Sequence, residues 1–305
     1  MAGFAAASDR GPPVRPTLWL DPRVVAVLWR REVLRYLRDR SQLFGAVSRS
    51  VLWLAVLGFG LGAALRDIEG YTYAQYILPG VVMLNILFAS LQSAFAIVWD
   101  RERGMLRQVL VSPASRLSIV AGKVAGGATV ALVQGAIPLA FAPLLGLRLT
   151  LGAVLAAAVV MFAMGVAITA FGVAVATRIR KVESFGSISN GIVQPLYFLS
   201  GAIFPLKGVI GGVGFLDLPE SLRDELRRLG IHAIGGGWLV ELPAWLQALV
   251  LANPISYGVD LLRAVTLGFR QLPLAADLLV VATLPLATTL AAVVLLDRMR
   301  SAGRR

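Results

Sequence analysis

The chain of 305 residues is 57% hydrophobic and only 15% charged, and its mean hydropathy is +0.77. A soluble domain is typically about a quarter charged and about half apolar, so this composition indicates a protein whose surface faces lipid. The sequence has no cysteine and one histidine, His232, which excludes disulfides, thiolate or multi-histidine metal sites and cysteine nucleophiles.

The N-terminal region divides into two parts. Residues 1–21 lack the apolar core of a secretory signal and are predicted to form a disordered cytoplasmic tail. Residues 22–40 begin with Pro22, which suits a first helical turn, and carry an apolar stripe with several arginines off it. This pattern predicts an amphipathic helix on the inner membrane face, its arginines near anionic headgroups. The alternative is a soluble helix that binds a partner protein.

Six apolar stretches follow, each near the ~20 residues that a bilayer core of ~30 Å requires. They are predicted to span the membrane at 43–65, 74–99, 117–147, 151–177, 184–204 and 272–296. Residues 205–271 form an external segment, in which the apolar piece 243–252 is too short to span and is predicted to be re-entrant. The predicted fold class is therefore all-α: a polytopic membrane protein of six transmembrane helices with an interfacial N-terminal helix.

The distribution of charge predicts the orientation. With an internal N-terminus, the inner parts of the chain are 1–42, 100–116, 178–183, the basic tail 297–305, and the helix-end residues Arg49 and Lys123. They hold 21 of the 29 Lys and Arg residues but only 8 of the 17 Asp and Glu residues. Because Lys and Arg collect on the cytoplasmic side, both termini are predicted to be cytoplasmic. The net charge of +12 then needs no nucleic-acid partner.

Three segments resemble the membrane subunits of type-2 ABC exporters, the bacterial permeases for drugs, lipids and polysaccharides. They are 100–116 (DRERGMLRQVLVSPASR), 194–205 (QPLYFLSGAIFP), and 242–263, which contains LPAWLQ and NPISYGVDLLR. Their order and spacing match from about residue 22 to residue 296, which indicates a single permease domain. The departure is an insert at 207–241, about thirty residues long, in which Pro219 to Leu229 is predicted to form a charged helix.

The resemblance implies a coupling helix at 100–113 that docks on a separate ATPase subunit. The side chains expected to make this contact are Glu102, Arg103, Gly104, Leu106, Arg107 and Val109. The alternative is an ordinary basic inner loop. The sequence contains no G-x-x-x-x-G-K-[ST] motif, so no cofactor is expected in this chain. The resemblance implies two copies of the ATPase, which would bind ATP and Mg, and a second permease copy, forming a homodimer surrounded by membrane lipids.

In the resembling fold, the second and fifth spans line the dimer interface and hence the substrate pathway. The candidate pathway residues on these spans are Asn85, Phe88, Gln92, Asn190, Gln194, Tyr197 and Phe198. The alternative role of the polar ones is hydrogen bonding between packed helices. Among charged residues near the span ends, Arg49 is expected to snorkel or to pair with Glu183, and Asp277 to pair with Arg270 or Arg263.

The predicted function is that of the transmembrane subunit of an ATP-driven exporter in the plasma (inner) membrane of a bacterium. It would move an amphipathic, lipid-linked or drug-like substrate out of the cytoplasm and would not be an enzyme by itself. The alternative is a secondary transporter, or a lipid flippase or scramblase not driven by ATP. A secondary transporter would favour internal repeats or broken helices around ionisable groups. An intramembrane enzyme would need catalytic groups that are missing from the sequence, so no catalytic or metal-binding residue is predicted.

Overall fold

The computed structural model describes residues 20–63, 68, 70–103, 115–179, 181–204, 207–210, 231–234, 237–241 and 243–302. The predicted tail 1–21 lies outside these residues except for its last two. The helices are α1 (Pro22–Arg38), α2 (Arg40–Trp53) with a π-helical continuation (Leu54–Leu61), α3 (Tyr73–Glu102), α4 (Arg116–Leu139) followed by a 3-10 turn (Ala142–Leu145), α5 (Leu151–Ala176), α6 (Val182–Phe198), α7 (Ala244–Ala252), α8 (Pro254–Leu267) and α9 (Leu274–Ala302).

Five helical units of the described chain are long and apolar enough to cross a bilayer. They are Arg40–Leu61, Tyr73–Asp100, Arg116–Leu145, Leu151–Ala176 and Leu274–Arg298, and they match predicted spans one to four and six. Predicted span five corresponds to α6, whose 17 residues cover about 26 Å at ~1.5 Å per residue. This protein is a polytopic membrane protein with an all-α membrane domain, as the sequence predicts.

The short apolar helix α7 and its successor α8 form a bent pair. Their axes differ by 84° at Asn253. The Asn253 side chain caps α8 by accepting from the Ile255 amide (3.0 Å), and its Nδ2 donates to the Leu196 carbonyl of α6 (2.6 Å). Pro254 occupies the first position of α8, where a missing N–H costs nothing. The predicted re-entrant segment is therefore a sharp helical corner fixed to the end of α6.

Helix α3 lies at the centre of the bundle and α9 at its edge. α3 packs against α4, α5, α6 and α8, and buries its large apolar residues, among them Ile77, Met83 and Ile86. By contrast, α9 exposes Leu279 and Leu286 along its length. Exposed leucines on a membrane-spanning helix indicate contact with lipid, so the bundle encloses α3 and presents α9 to the bilayer.

The amphipathic helix α1 packs lengthwise on the first half of α4. Gly122 and Gly126 permit the close approach, because a Cβ added at either would lie only 2.8 Å from Leu28 Cβ or 2.7 Å from Glu32 Cβ. One turn further along α4, Trp29 donates its indole N–H to Thr129 Oγ1 at 3.0 Å. The N-terminal helix is thus anchored on a transmembrane helix.

Asp39 separates α1 from α2 and caps the second helix. Its carboxylate accepts from the Ser41 amide (3.1 Å) and hydroxyl, and from the Gln42 amide (3.3 Å). These hydrogen bonds, the one from the Ser41 hydroxyl most of all, hold the pKa of Asp39 below its usual value of 3.8. One carboxylate therefore caps the start of the first span, directly after α1.

The insert contains a small antiparallel sheet that the sequence did not predict. Its strands are β1 (Lys207–Ile210), β2 (Ile231–Ile234) and β3 (Gly237–Glu241), in the order β1-β3-β2. β3 is the central strand, and its Leu239 lies opposite Val209 on one side and His232 on the other. The predicted charged helix Pro219 to Leu229 lies outside the described residues. Strands of four or five residues are too short to show a clear alternation of apolar and polar residues. The glycine runs beside them were therefore the more visible pattern, and the strands were missed.

Candidate functional site

A cleft of about 230 Å³ lies between α3 and α6, within the membrane part of the protein. Its walls are formed by Phe88, Leu91, Gln92, Phe95, Gly186, Ser189, Asn190 and Val193. Three of the predicted pathway residues, Phe88, Gln92 and Asn190, therefore meet in one cleft. Gln92 and Asn190 are exposed, so their amides are available to a ligand or to a second protomer. An apolar cleft with a few polar side chains is the usual form of a ligand site.

The remaining predicted pathway residues on α6 lie beyond the walls of this cleft. Tyr197 is buried and meets Trp53 of α2 edge-on, with ring centres 5.3 Å apart. Phe198 is 45% exposed and Gln194 is exposed. Tyr197 therefore joins α6 to α2, whereas Gln194 and Phe198 belong to a face of α6 that the protomer leaves uncovered.

Asn85, the last of the predicted pathway residues, is fully buried in a polar cluster with Arg49. The Nε and Nη2 of Arg49 donate to Asn85 Oδ1 at 2.9 and 2.6 Å, and Nη2 also donates to Gln134 Oε1 at 3.2 Å. Asn85 Nδ2 in turn donates to Ser50 Oγ at 2.9 Å. The expectation that Arg49 snorkels or pairs with Glu183 is therefore wrong, because neutral amides of α3 and α4 hold its guanidinium inside the bundle.

Arg49 is also the functional candidate that sequence reasoning missed. Its guanidinium carbon lies 4.5 Å from the centre of the Phe88 ring, which forms part of the cleft wall. A cation over an aromatic face is attracted by the ring quadrupole, so Phe88 links the polar cluster to the cleft. The signal in the sequence was an arginine within an apolar stretch, but its partners lie 36 and 85 positions away.

Of the predicted coupling residues, the structure describes Glu102 and Arg103. Glu102 ends α3, Arg103 follows it, and both are exposed. The Arg103 guanidinium carbon lies 4.5 Å from the centre of the Trp99 ring. Gly104, Leu106, Arg107 and Val109 lie outside the described residues. The described start of the predicted coupling segment, up to Glu102, is therefore the last part of the helix that forms one wall of the cleft.

A buried ion network holds the inner end of α3, one turn before Arg103. Lys123 Nζ lies 3.3 Å from Asp100 Oδ2 and 3.6 Å from Glu32 Oε1, and all three residues are at most 8% exposed. Arg31 and Arg35 extend the network toward solvent, at 3.4 Å from Asp100 and 3.8 Å from Glu32. One ion network thus joins α1, α3 and α4 at the predicted coupling segment.

A second buried ion pair lies at the other end of the bundle, in α8. Arg263 Nη1 lies 3.4 Å from Asp260 Oδ1, while its Nη2 donates to the Gly201 carbonyl at 3.0 Å.

The sequence predicts Arg263 or Arg270 as the partner of Asp277. Arg263 pairs with Asp260, and the buried Asp277 carboxylate accepts no hydrogen bond from the described residues. Neither Asp260 nor Asp277 belongs to a potential metal-binding group of three or more His, Cys, Asp or Glu residues within the described chain.

Comparison with known proteins identifies the family. The sequence profile of the ABC-2 type transporter family matches residues 23–215, which is more than half of the chain and includes the cleft, Arg49 and the predicted coupling segment. The chain belongs to the ABC-2 type transporter family. It is a transmembrane subunit of an ABC transporter, as its resemblance to type-2 permeases implied.

Curated relatives, among them two named as transport permeases, match across most of the chain. The inner membrane transport permease YadH of Escherichia coli K12 is 25% identical over 258 residues, covering 81% of this chain and 84% of YadH. Nodulation protein J of Rhizobium leguminosarum bv. viciae is 23% identical over 244 residues, covering 79% and 81%. The putative transport permease ycf38 of Cyanophora paradoxa is 23% identical over 242 residues, covering 78% and 72%. These proteins support a role in transport rather than in catalysis.

Proposed function

We propose that this ABC-2 subunit belongs to an exporter that moves an amphipathic, lipid-linked or drug-like substrate out of the cytoplasm. The observation that carries the proposal is that one helix, α3, bears both the cleft and the start of the predicted coupling segment. Phe88 in the cleft and Glu102 at the end of α3 are separated by about 21 Å of continuous helix at ~1.5 Å per residue. A rigid helix of this kind can carry a displacement from a docked ATPase to a ligand in the cleft.

The ATPase is a separate chain in this proposal. The sequence contains no phosphate-binding loop motif, so ATP and Mg would be bound by two copies of an ABC ATPase subunit. The exposed Glu102 and Arg103 support docking at the end of α3, because exposed charges flanking the apolar Leu106 and Val109 suit a protein groove. Reversal of a charge or burial of a new one there would weaken the complex.

The permease would act as a homodimer that meets at α6. In the described structure, the principal packing partner of α6 is α3, and the exposed face of α6 includes Asn190, Gln194 and Phe198. A second protomer over this face would close the α3–α6 cleft and exclude lipid from its amides. Export would run across the inner membrane of a bacterium, with both termini cytoplasmic because basic residues collect on the inner segments.

Reconstitution tests this function. The permease is placed in vesicles with a candidate ABC ATPase from the same genome, and the movement of a fluorescent amphiphile is followed with and without ATP. Movement that needs ATP, the ATPase and an intact Glu102 supports the exporter. Movement at the same rate without ATP or the ATPase indicates a flippase or scramblase instead. Movement driven only by an imposed ion gradient indicates a secondary transporter.

A further inference from the structure

Among the described residues, Lys123 and Arg263 are buried cations and Arg49 is a partly buried cation within a membrane span, and the partners of Arg49 differ from those of the other two. Lys123 contacts the carboxylates of Asp100 and Glu32, and Arg263 contacts that of Asp260. Arg49 forms no salt bridge within the part of the chain that the structure describes, and its acceptors are the neutral amides of Asn85 and Gln134. A positive charge within a membrane span is costly unless an anion compensates it, so the site lacks a counter-charge.

The Arg49 guanidinium is held in one orientation by its amide partners. Nε and Nη2 are both engaged, and Asn85 is itself fixed because its Nδ2 donates to Ser50 Oγ and to the Val81 carbonyl. A guanidinium has five N–H donors. The two N–H groups on Nη1 have no acceptor among the described residues. The Arg49 side chain is only partly buried, so these groups are accessible to a ligand. The cluster therefore presents a pre-oriented pair of donors and an uncompensated charge.

Phe88 connects the cleft to this charge, since Arg49 is not itself a lining residue. Phe88 contacts the guanidinium through one face of its ring and contributes to the cleft wall, where Leu91, Phe95 and Val193 supply apolar surface. The cleft volume of about 230 Å³ is below the ~300 Å³ at which sites for whole drug-sized ligands begin. A cleft of this size can hold part of an apolar chain.

We propose that Arg49 binds the anionic headgroup of an amphipathic substrate whose apolar chain lies in the α3–α6 cleft. This proposal rests on the proposed transport function and specifies its substrate class: amphiphiles that carry a phosphate or carboxylate. The two N–H groups on Nη1 can each donate to an oxygen of such a headgroup, and binding there supplies the missing counter-charge. Gln92 and Asn190 on the cleft walls provide neutral donors for the rest of the headgroup.

Binding is tested in phosphatidylcholine nanodiscs without ATPase or ATP, so that failure of the proposed export cannot be confused with failure of this site. The probe is a dansyl-labelled dodecyl phosphate, detected by energy transfer from the tryptophans, and its counterpart carries a neutral hydroxyl headgroup. Arg49→Gln should lower the affinity for the phosphate probe about tenfold or more and leave the affinity for the neutral probe within about twofold of the native value. Arg49→Lys should retain part of the affinity because it keeps the charge.

The matched control is Arg38→Gln, which removes the same charge from the exposed surface of α1 and should change neither affinity. Equal binding of the phosphate probe by Arg49→Gln and the native protein would overturn the proposal, as would an equal loss of both probes. An additional arm replaces a fifth of the phosphatidylcholine by phosphatidylglycerol. Competition in that arm identifies the anionic amphiphile as a bilayer lipid, and no competition identifies it as a single-chain molecule.

A measurement on the native protein keeps the proposal testable if Arg49→Gln does not fold. Phenylglyoxal modifies arginine side chains, and mass spectrometry reports the rate at each position. Dodecyl phosphate should slow modification of Arg49 and leave that of Arg38 unchanged, whereas dodecyl maltoside should protect neither. An unchanged rate at Arg49 with saturating dodecyl phosphate would contradict a headgroup contact.

Discussion

Lys123 of α4 and Asp100 of α3 form a buried ion pair, with 3.3 Å between Nζ and Oδ2. Glu32 of α1 shares the same ammonium at 3.6 Å. Asp100 is also the first residue of the predicted coupling segment, 100–113. A force applied to that segment therefore acts on α1 and α4 as well as on α3, because the three helices share one buried charge network.

Removal of Lys123 should strongly destabilise the protein. Lys123→Met would remove the buried cation that Asp100 and Glu32 share and leave these carboxylates with only the solvent-facing Arg31 and Arg35, at a cost of about 3–5 kcal/mol. The measurement is the midpoint of thermal unfolding in detergent. Arg35→Met is the control: it removes an exposed partner of Glu32, which is worth about 0–1 kcal/mol. Similar midpoints for the two variants would show that Lys123 is not the centre of the network.

Glu102→Arg should impair coupling without affecting insertion. The reversed charge would face the same groove of the proposed ATPase and weaken docking or uncouple ATP hydrolysis from transport. Leu106→Asp should be worse, since it would place a charge in an apolar contact. Co-purification with the ATPase and ATP-dependent transport are the measurements. Arg148→Glu, an exposed reversal between α4 and α5, serves as the control and should behave as native.

The proposed orientation is testable because the native chain has no cysteine. Arg103→Cys is predicted to face the cytoplasm, and Arg148→Cys and His232→Cys the outside. A membrane-impermeant maleimide applied to intact cells should label only the latter two, and Arg103→Cys should react after the cells are opened. Labelling of all three positions from the same side would refute the topology.

The packing of α1 on α4 should depend on Gly126. In Gly126→Ala the new Cβ would lie 2.7 Å from Glu32 Cβ, so α1 would have to shift, at a cost of about 1–3 kcal/mol. Gly45→Ala is the matched control, because nothing lies within 4 Å of its added Cβ. Alanine there should be neutral or stabilise α2 by up to about 1 kcal/mol. Equal thermal midpoints for both variants would show that α1 is not held by close contact.

The cap at Asp39 should contribute stability that depends on pH. Its pKa is depressed in the folded protein, so the stabilisation is present above the unfolded value of 3.8 and is lost as the pH falls through the lower folded value. Asp39→Ala should cost about 1 kcal/mol near neutral pH and progressively less below pH ~4. Asp39→Asn caps without titrating and should keep its effect on acidification. A constant difference between the native protein and Asp39→Ala at all pH values would contradict the mechanism.

The membrane spans were predictable because a helix of about 20 apolar residues matches the thickness of the bilayer core. The grouping of Phe88, Gln92 and Asn190 followed from the resemblance to type-2 permeases, which implies that the second and fifth spans line one interface; their role in a substrate pathway stays a prediction. The partners of Arg49 were not predictable, because Asn85 and Gln134 resemble any other polar residue in a span until the helices are packed. The docking of α1 escaped prediction for a similar reason: Gly122 and Gly126 act through the space they leave, which an apolar run does not reveal.

The sheet in the insert has a consequence for how such a segment enters a transporter. Its first and last described residues, Lys207 and Glu241, are register partners in the β1–β3 ladder, so their Cα atoms lie about 5 Å apart. A chain that leaves and returns at one point can be spliced into an existing loop without moving the elements on either side. The two ends of the segment thus lie side by side. Such a segment could be acquired in a single insertion event, and it could be exchanged for an epitope or a small reporter domain.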